Sequence, residues 1–402
     1  MYTYKRDFYK LLAVDTCVWS VTSVCIPFLN AYYAMNGITD MQIGVLAAIG
    51  PVAGLCFQPL WAMLSDRTEK RRLVLQLISV VGGAAYLLYL LGTAFAVFCV
   101  ATIVFMAFNS AIMPLNDAIV TKEAQEKKVN FAIVRMGGTV GFAIVILFVG
   151  GYLRSHPTHM FWIGFVVYAG YAAVCFLLPK DPKGKNRAGR PARAGKVQPD
   201  EKTGQKRKGK IFRSNEVVFV LAIAFIMQIA VSFHAAFVSV FVVDLGYDQS
   251  MIGILFCISA FSEVPVLFAM PKLMARFNTL GLLCAALFIA ALRVILVPNG
   301  TIPYIILSQA LQGPSYMIAY YGCVTYIRDH VHEGKISQGQ TILVMIQGGF
   351  ATVAGSLAGG FLSDAFGLAP AFVIISGFVV VSAVGILVAT RVYAAKQAGR
   401  RD

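Results

Sequence analysis

Six ionisable side chains stand inside long apolar runs of this 402-residue chain: Asp15, Asp117, Arg135, His234, Glu263 and Arg293. At the centre of a membrane helix each costs on the order of 2.5–3.5 kcal/mol, so each must face the interior and find a partner or water. A carboxyl withdrawn from water can take up and release a proton in the course of a cycle, and a guanidinium can hold a polar solute through paired hydrogen bonds. Asp117 and Arg135 form the most specific pair. They flank a short polar hairpin whose midpoint, near Glu126, is nine residues from each, which puts them at equal depth on adjacent helices. A static ion pair satisfies that geometry, and so does a pair that a solute opens.

The chemistry of enzymes is missing from the pattern. No HExxH, GxSxG or Walker A sequence occurs, and His330 and His332 lie in a polar loop. The eight cysteines fall in apolar runs with no CxxC and no Cys/His spacing suited to a metal, which reads as buried free thiols. No catalytic residue, metal or cofactor is therefore expected.

The elements that must carry these groups are membrane helices. Hydrophobic residues make up 58% and charged residues 13% of the chain, unlike a water-exposed surface. Apolar runs near 8–33, 41–64, 73–93, 95–119, 130–152, 160–178, 216–243, 250–271, 279–297, 302–326, 338–361 and 369–391 predict twelve spans, each near the roughly 20 residues that cross a bilayer. The first carries Asp15 and exceeds a signal-peptide core, so it is expected to remain in the mature chain.

The net charge of +15 raises the possibility of nucleic-acid binding, but its placement argues for topology instead. All but three of the 34 Lys and Arg lie in loops on the side of the N-terminus; Arg154 is on the other side, and Arg135 and Arg293 are inside spans. By the positive-inside rule both termini are cytoplasmic, in a multi-pass protein of the plasma (inner) membrane. Residues 1–179 then form one six-helix bundle and 215–402 a second. The basic, Gly- and Pro-containing stretch 180–214 reads as a disordered cytoplasmic linker.

A weak repeat joins the halves. At an offset of 209, Ile43-Gly44-Val45-Leu46 aligns with Ile252-Gly253-Ile254-Leu255, and Gly150-Gly151-Tyr152-Leu153 with Gly359-Gly360-Phe361-Leu362. Parallel repeats of this kind occur where two bundles rock about a central solute site, although close helix packing alone accounts for the glycines.

The end of the second span, Ala62-Met63-Leu64-Ser65-Asp66-Arg67-Thr68-Glu69-Lys70-Arg71-Arg72, resembles the GxLxDRxGRR signature of the major facilitator superfamily. Asp66, Arg67, Lys70 and Arg71 fit it, with Asp66, Arg67 and Arg71 as the expected cytoplasmic gate, while Ala62 and Glu69 replace the two glycines. Asp117, the 18-residue step to Arg135, and Arg135-Met136-Gly137-Gly138-Thr139-Val140-Gly141-Phe142 resemble the lactose permease-like (oligosaccharide:proton symporter) branch. The resemblance implies sugar recognition by the acid and arginine, with Phe142 in place of a stacking Trp. It also implies a substrate-binding acid at Glu263 and a coupling arginine at Arg293. Gln309, Gln312 and Ser315 replace that branch's Lys, His and proton-carrying Glu. Ser232-Phe233-His234-Ala235-Ala236-Phe237 is more similar to phenylpropionate permease-like relatives.

Two faces complete the candidate set. Asp15, Trp19, Thr22, Ile26 and Tyr33 share a stripe at 3.6 residues per turn, mixing charge, aromatic and hydroxyl groups. Gln309, Gln312, Tyr316 and Tyr320 fall at i, i+3, i+7 and i+11, and Asn116 lies beside Asp117. The expected solute-binding residues are Asp117, Arg135, Phe142, Trp19, Gln309, Gln312, Tyr316 and Asn116. Packing aromatics and interhelical polar contacts explain part of the same pattern. For proton coupling the candidates are Glu263 first and Asp15 second, with His234 and Arg293 in support.

The expected function is proton-coupled symport of a small polar solute, sugar-like, nucleoside-like or an aromatic acid, by alternating access. The alternative is proton-antiport efflux of amphipathic compounds, for which the Phe, Met and Tyr content is suited. The partners expected are the solute, protons and the lipid bilayer, with no nucleic acid, in a monomer.

Overall fold

The structure is a computed structural model that describes residues 2–179, 211–212, 214, 216–332 and 335–398. It is an all-α membrane protein. In chain order the helices are α1 (Tyr2–Met35), α2 (Asp40–Thr68), α3 (Arg71–Tyr86), α4 (Phe95–Glu126), α5 (Phe131–Leu153), α6 (His159–Val174), α7 (Val217–Asp244), α8 (Gln249–Arg276), α9 (Thr279–Leu296), α10 (Ile302–Ala310), α11 (Ile318–His330), α12 (Ile336–Val344), α13 (Thr352–Phe366) and α14 (Leu368–Ala398). Among the described residues, eleven helical stretches are long and apolar enough to cross a membrane. The twelfth expected span, α10 to α11, crosses in pieces.

Two of the expected continuous spans are broken by π-helical turns, Gly313–Met317 between α10 and α11 and Met345–Ala351 between α12 and α13. Pro314 removes a backbone donor in the first, and Gly348 and Gly349 loosen the second. The α-helical ladder expected for Gln309, Gln312, Tyr316 and Tyr320 is consequently not kept: Gln309 and Gln312 are buried, whereas Tyr320 is 45% exposed. Most of the linker stretch 180–214 lies outside the described residues; within it, Phe212 makes an isolated bridge to Val331.

The ends of the helices repeat between halves. Thr39 caps α2 through its side chain to the Gln42 amide, and Asp248 caps α8 through its carboxylate to the Ser250 amide, 209 residues later. Gly37 and Gly246, also 209 apart, both take positive φ, 77° and 84°, in the turns before those caps.

Each half packs within itself, and the halves meet where α2 crosses α13 and α5 crosses α8. Both crossings are glycine-on-glycine. A Cβ on Gly44 would lie 2.9 Å from Gly360 Cα, and one on Gly150 would lie 3.2 Å from Gly253 Cα. These contacts sit at the end opposite the basic loops. There Arg154 Nε donates to Asp248 Oδ2 at 2.9 Å, and Asn30 Nδ2 donates to the Ala236 carbonyl at 3.1 Å, both between halves.

All eight cysteines are free, but only Cys25, Cys175, Cys257, Cys284 and Cys323 are buried. Cys56 is exposed and Cys17 and Cys99 are half-buried, because the apolar runs that contain them present one face outward.

Candidate functional site

In the first half, α1, α4 and α5 converge on one charged cluster. Arg135 Nη1 stands 3.8 Å from Asp117 Oδ1, so the equal depth expected from their spacing is realised across the α4–α5 hairpin. The separation exceeds a hydrogen bond, and both atoms are buried without a hydrogen-bond partner. The Arg135 guanidinium lies over the Trp19 ring, 4.1 Å from its centroid, a cation–π contact that steadies the charge without using its donors. Phe142 meets the same indole edge-on at 6.4 Å.

Glycine makes this approach possible. A Cβ on Gly138 would strike the Trp19 ring and lie 2.8 Å from Asp15 Oδ2, and one on Gly141 would lie 3.0 Å from the Thr16 carbonyl. The Gly137-Gly138 and Gly141 positions are thus the surface on which α1 rests against α5.

Asp15 lies fully buried behind Trp19. Its Oδ1 accepts from Asn116 Nδ2 at 3.3 Å, while Oδ2 has no hydrogen-bond partner. Asn116 was expected to bind solute, but it is fully buried and also accepts from the Tyr171 hydroxyl at 3.0 Å. Both ends of its amide are engaged within the bundle, so it positions Asp15 from behind. Asn109 is held in the same way by the Tyr168 hydroxyl at 2.6 Å.

In the second half, Gln312 Nε2 donates to Glu263 Oε1 at 3.2 Å. The π-turn brings this about: Gly313 presses against the α8 backbone at Ser262 and Glu263, and its amide donates to Ser262 Oγ at 2.9 Å. Gln309 Nε2 and Gln312 Oε1 are buried without partners. Tyr316 stacks on Tyr320 at 5.8 Å.

Arg293 is buried and donates to the Ser308 carbonyl and to His234 Nδ1, both at 3.1 Å. Since His234 Nδ1 accepts from a guanidinium, its proton is on Nε2, which lies 2.9 Å from Ser308 Oγ. Both ring nitrogens are engaged, one by Ser308 and one by Arg293, so the imidazole helps to hold the guanidinium in place. Among the described residues, no ion pair joins Glu263 to Arg293.

At the basic end Arg71 Nη2 donates to Asp66 Oδ1 at 3.1 Å, both substantially exposed. Arg67, in the last turn of α2, is exposed beside them. Asp66 and Arg71 border a cavity of about 380 Å³ between α2 and α4. Glu69, where the signature has glycine, takes φ 56°, a left-handed conformation that glycine adopts without strain.

The sequence pattern did not disclose the Arg135–Trp19 contact, the π-turns, or a second cavity between the halves. That cavity holds about 240 Å³ and is bordered by α1, α2, α4, α7 and α13. Pro314 was the available signal for the first π-turn; for the cavity the α1 stripe was a partial one, since Ile26 and Tyr33 border it, while its other polar groups are scattered singly over several helices.

Comparison with known proteins agrees with this architecture. The chain is 25% identical over 350 residues to the uncharacterized transporter YwbF of Bacillus subtilis (strain 168), covering 85% of this chain and 83% of that protein. It is 25% identical over 366 residues to the maltose permease of Geobacillus stearothermophilus, covering 90% and 88%. The solved nucleoside transporter NupG superposes with a TM-score of 0.76 at 17% identity, over 95% of this chain and 98% of that one. A bacterial homolog of the lysosomal transporter Spinster, in an inward-facing and unoccupied conformation, superposes with a TM-score of 0.72 at 15% identity, over 96% and 97%. The model of the MFS_1 like family matches residues 16–374, both bundles from Thr16 in α1 to Ile374 in α14. The two-bundle fold, the charged residues held at membrane depth and that match together make this chain a member of the MFS_1-like family of major facilitator transporters.

Proposed function

We propose that the protein carries a small polar organic solute across the membrane together with a proton, by alternating access between its two halves. The observation that carries this reading is a charge imbalance at membrane depth. Asp15, Asp117 and Glu263 face only two guanidinium groups, Arg135 and Arg293, and Asp15 is buried with one oxygen unpartnered. One further positive charge is needed to neutralise the interior, and a proton supplies it without occupying solute space.

In this reading Asp15 comes before Glu263 as the carrier, the reverse of the order read from sequence. Each carboxylate accepts from one amide, Glu263 from Gln312 and Asp15 from Asn116, but Asp15 is fully buried with Oδ2 unpartnered and lies beside the Arg135–Asp117 pair. A solute hydroxyl entering between Asp117 and Arg135 changes the field at Asp15, which couples the two cargoes. Trp19 and Phe142 border that position and offer a ring an apolar face. Sugar-like, nucleoside-like and aromatic-acid-like solutes all fit this description; the maltose permease relative supports a sugar. The basic loops support cytoplasmic termini, an orientation that puts the closed glycine seam on the outer side.

The test is the external pH of deenergised cells expressing the protein, on adding maltose, uridine and phenylpropionate in turn. Alkalinisation with one solute in wild type, lost in Asp15→Asn, is expected. No pH response to any of them, with dye extruded when an outward-acid gradient is imposed, would sink symport in favour of antiport efflux.

A further inference from the structure

We propose that the cavity between the halves is a second solute-binding station, selective for uncharged, hydroxyl-bearing solutes and separate from the charged cluster. It deepens the transport reading and rests on it. Along α1, Ile26 and Asn30 at the cavity lie eleven and fifteen residues beyond Asp15, which at 1.5 Å per residue is about 16–22 Å away.

Among the described residues, no Asp, Glu, Lys, Arg or His borders the cavity. Its polar groups come from both halves, and the hydrogen bonds around it fix how they are presented. Asn30 Nδ2 lies 3.1 Å from the Ala236 carbonyl, which can only accept, so the amide nitrogen must be on that side and Oδ1 is left over. Thr352 Oγ1 donates to the Gln347 carbonyl at 2.8 Å, so its one proton is used. Gln228, 3.2 Å from the same hydroxyl, must therefore donate with Nε2 and keep Oε1 free. Each amide thus brings a free carbonyl oxygen and a second N–H, an array matched to hydroxyls that both donate and accept. Ser232 adds no donor, its hydroxyl being turned back onto the Gln228 carbonyl at 2.6 Å.

Size and charge narrow the occupant. A volume of about 240 Å³ is smaller than the ~300–1,000 Å³ typical of drug-sized pockets, which suits a single sugar ring. A carboxylate or ammonium entering here would leave water without gaining a counter-charge, whereas a neutral polyol exchanges water hydrogen bonds for amide ones. Because α1, α2 and α4 border it from one half and α7 and α13 from the other, separation of the halves dismantles the station. It binds only while the glycine seam is closed.

The experiment is equilibrium binding to the purified full-length protein in nanodiscs, using glucose, glucosamine and glucuronate as matched neutral, cationic and anionic probes. Glucose is expected to bind with at least about tenfold preference over both charged analogues, and Asn30→Leu or Gln228→Leu to weaken it about tenfold. Gln228→Glu, which supplies the missing negative charge, is expected to shift preference to glucosamine, a gain that misfolding cannot produce. Glucuronate binding as well as glucose, no glucose binding in wild type, or variants indifferent to all three probes would overturn the proposal. Asp15→Asn separates the two readings. If no solute moves protons in any variant while the binding pattern holds, the transport reading fails and the station stands. If proton-coupled uptake proceeds and the chamber variants bind and transport as wild type does, the station fails alone.

Discussion

Gly44 on α2 and Gly360 on α13 pack backbone to backbone, and a Cβ on Gly44 would lie 2.9 Å from Gly360 Cα and 2.5 Å from the Ser356 carbonyl. The repeat-related crossing pairs Gly253 with Gly150 in the same manner, so the seam between halves has two equivalent points with no side chain between them. Gly44→Leu is expected to hold the seam open. Transport should fall by tenfold or more, and a cysteine introduced at Ala235 should react from that side with an impermeant maleimide above the background of native thiols. Unchanged labelling with unchanged transport would show that the seam tolerates bulk.

The exposed Arg154–Asp248 pair across the same seam should matter far less. A double-mutant cycle on thermal stability is expected to give a coupling of about 0–1 kcal/mol that fades with added salt, because both side chains remain in contact with water.

Arg135 over Trp19 joins solute recognition to an optical signal. Arg135→Lys keeps the charge but loses the planar stack and the paired donors, and solute affinity is expected to fall about two- to thirtyfold. Solute-dependent change in Trp19 emission, measured with Trp61 and Trp162 replaced by Phe, should disappear with it. A retained emission change in Arg135→Lys would place the solute elsewhere.

Glu69 adopts φ 56° where the superfamily signature has glycine, and its side chain is exposed. Glu69→Gly relieves the left-handed strain without removing a buried contact. The expected gain is about 1 kcal/mol, read as a higher unfolding midpoint.

His234, Ser308 and Arg293 form one buried hydrogen-bonded unit. His234→Leu takes an acceptor from a buried guanidinium and is expected to cost about 1.5–3 kcal/mol of stability. His234→Asn, which can still offer an oxygen to Arg293, should recover part of it. If proton coupling were lost in His234→Asn at full stability, the imidazole would have a role beyond holding the arginine.

The sequence by itself determined that long apolar helices cross the bilayer, because the bilayer demands runs of apolar residues whose length is a local property, and eleven of the twelve expected spans are such helices among the described residues. It determined the depth of Asp117 and Arg135 as well, since a short hairpin leaves little freedom in where equidistant residues fall. The repeat of Gly44 and Gly253 was also legible, but what each glycine touches was not, since its partner lies in the other half. Tertiary structure alone decided which buried groups are engaged. Asn116 and His234 read as solute and proton ligands by residue type, and both prove committed to neighbours on other helices. The π-turns likewise settled the register of Gln312 against Glu263, because the rotation of one helix against another follows from packing that no periodicity within the helix records. The chamber between the halves exists only when residues from five helices are assembled, which is why Asn30 and Gln228 carried no signal in the chain.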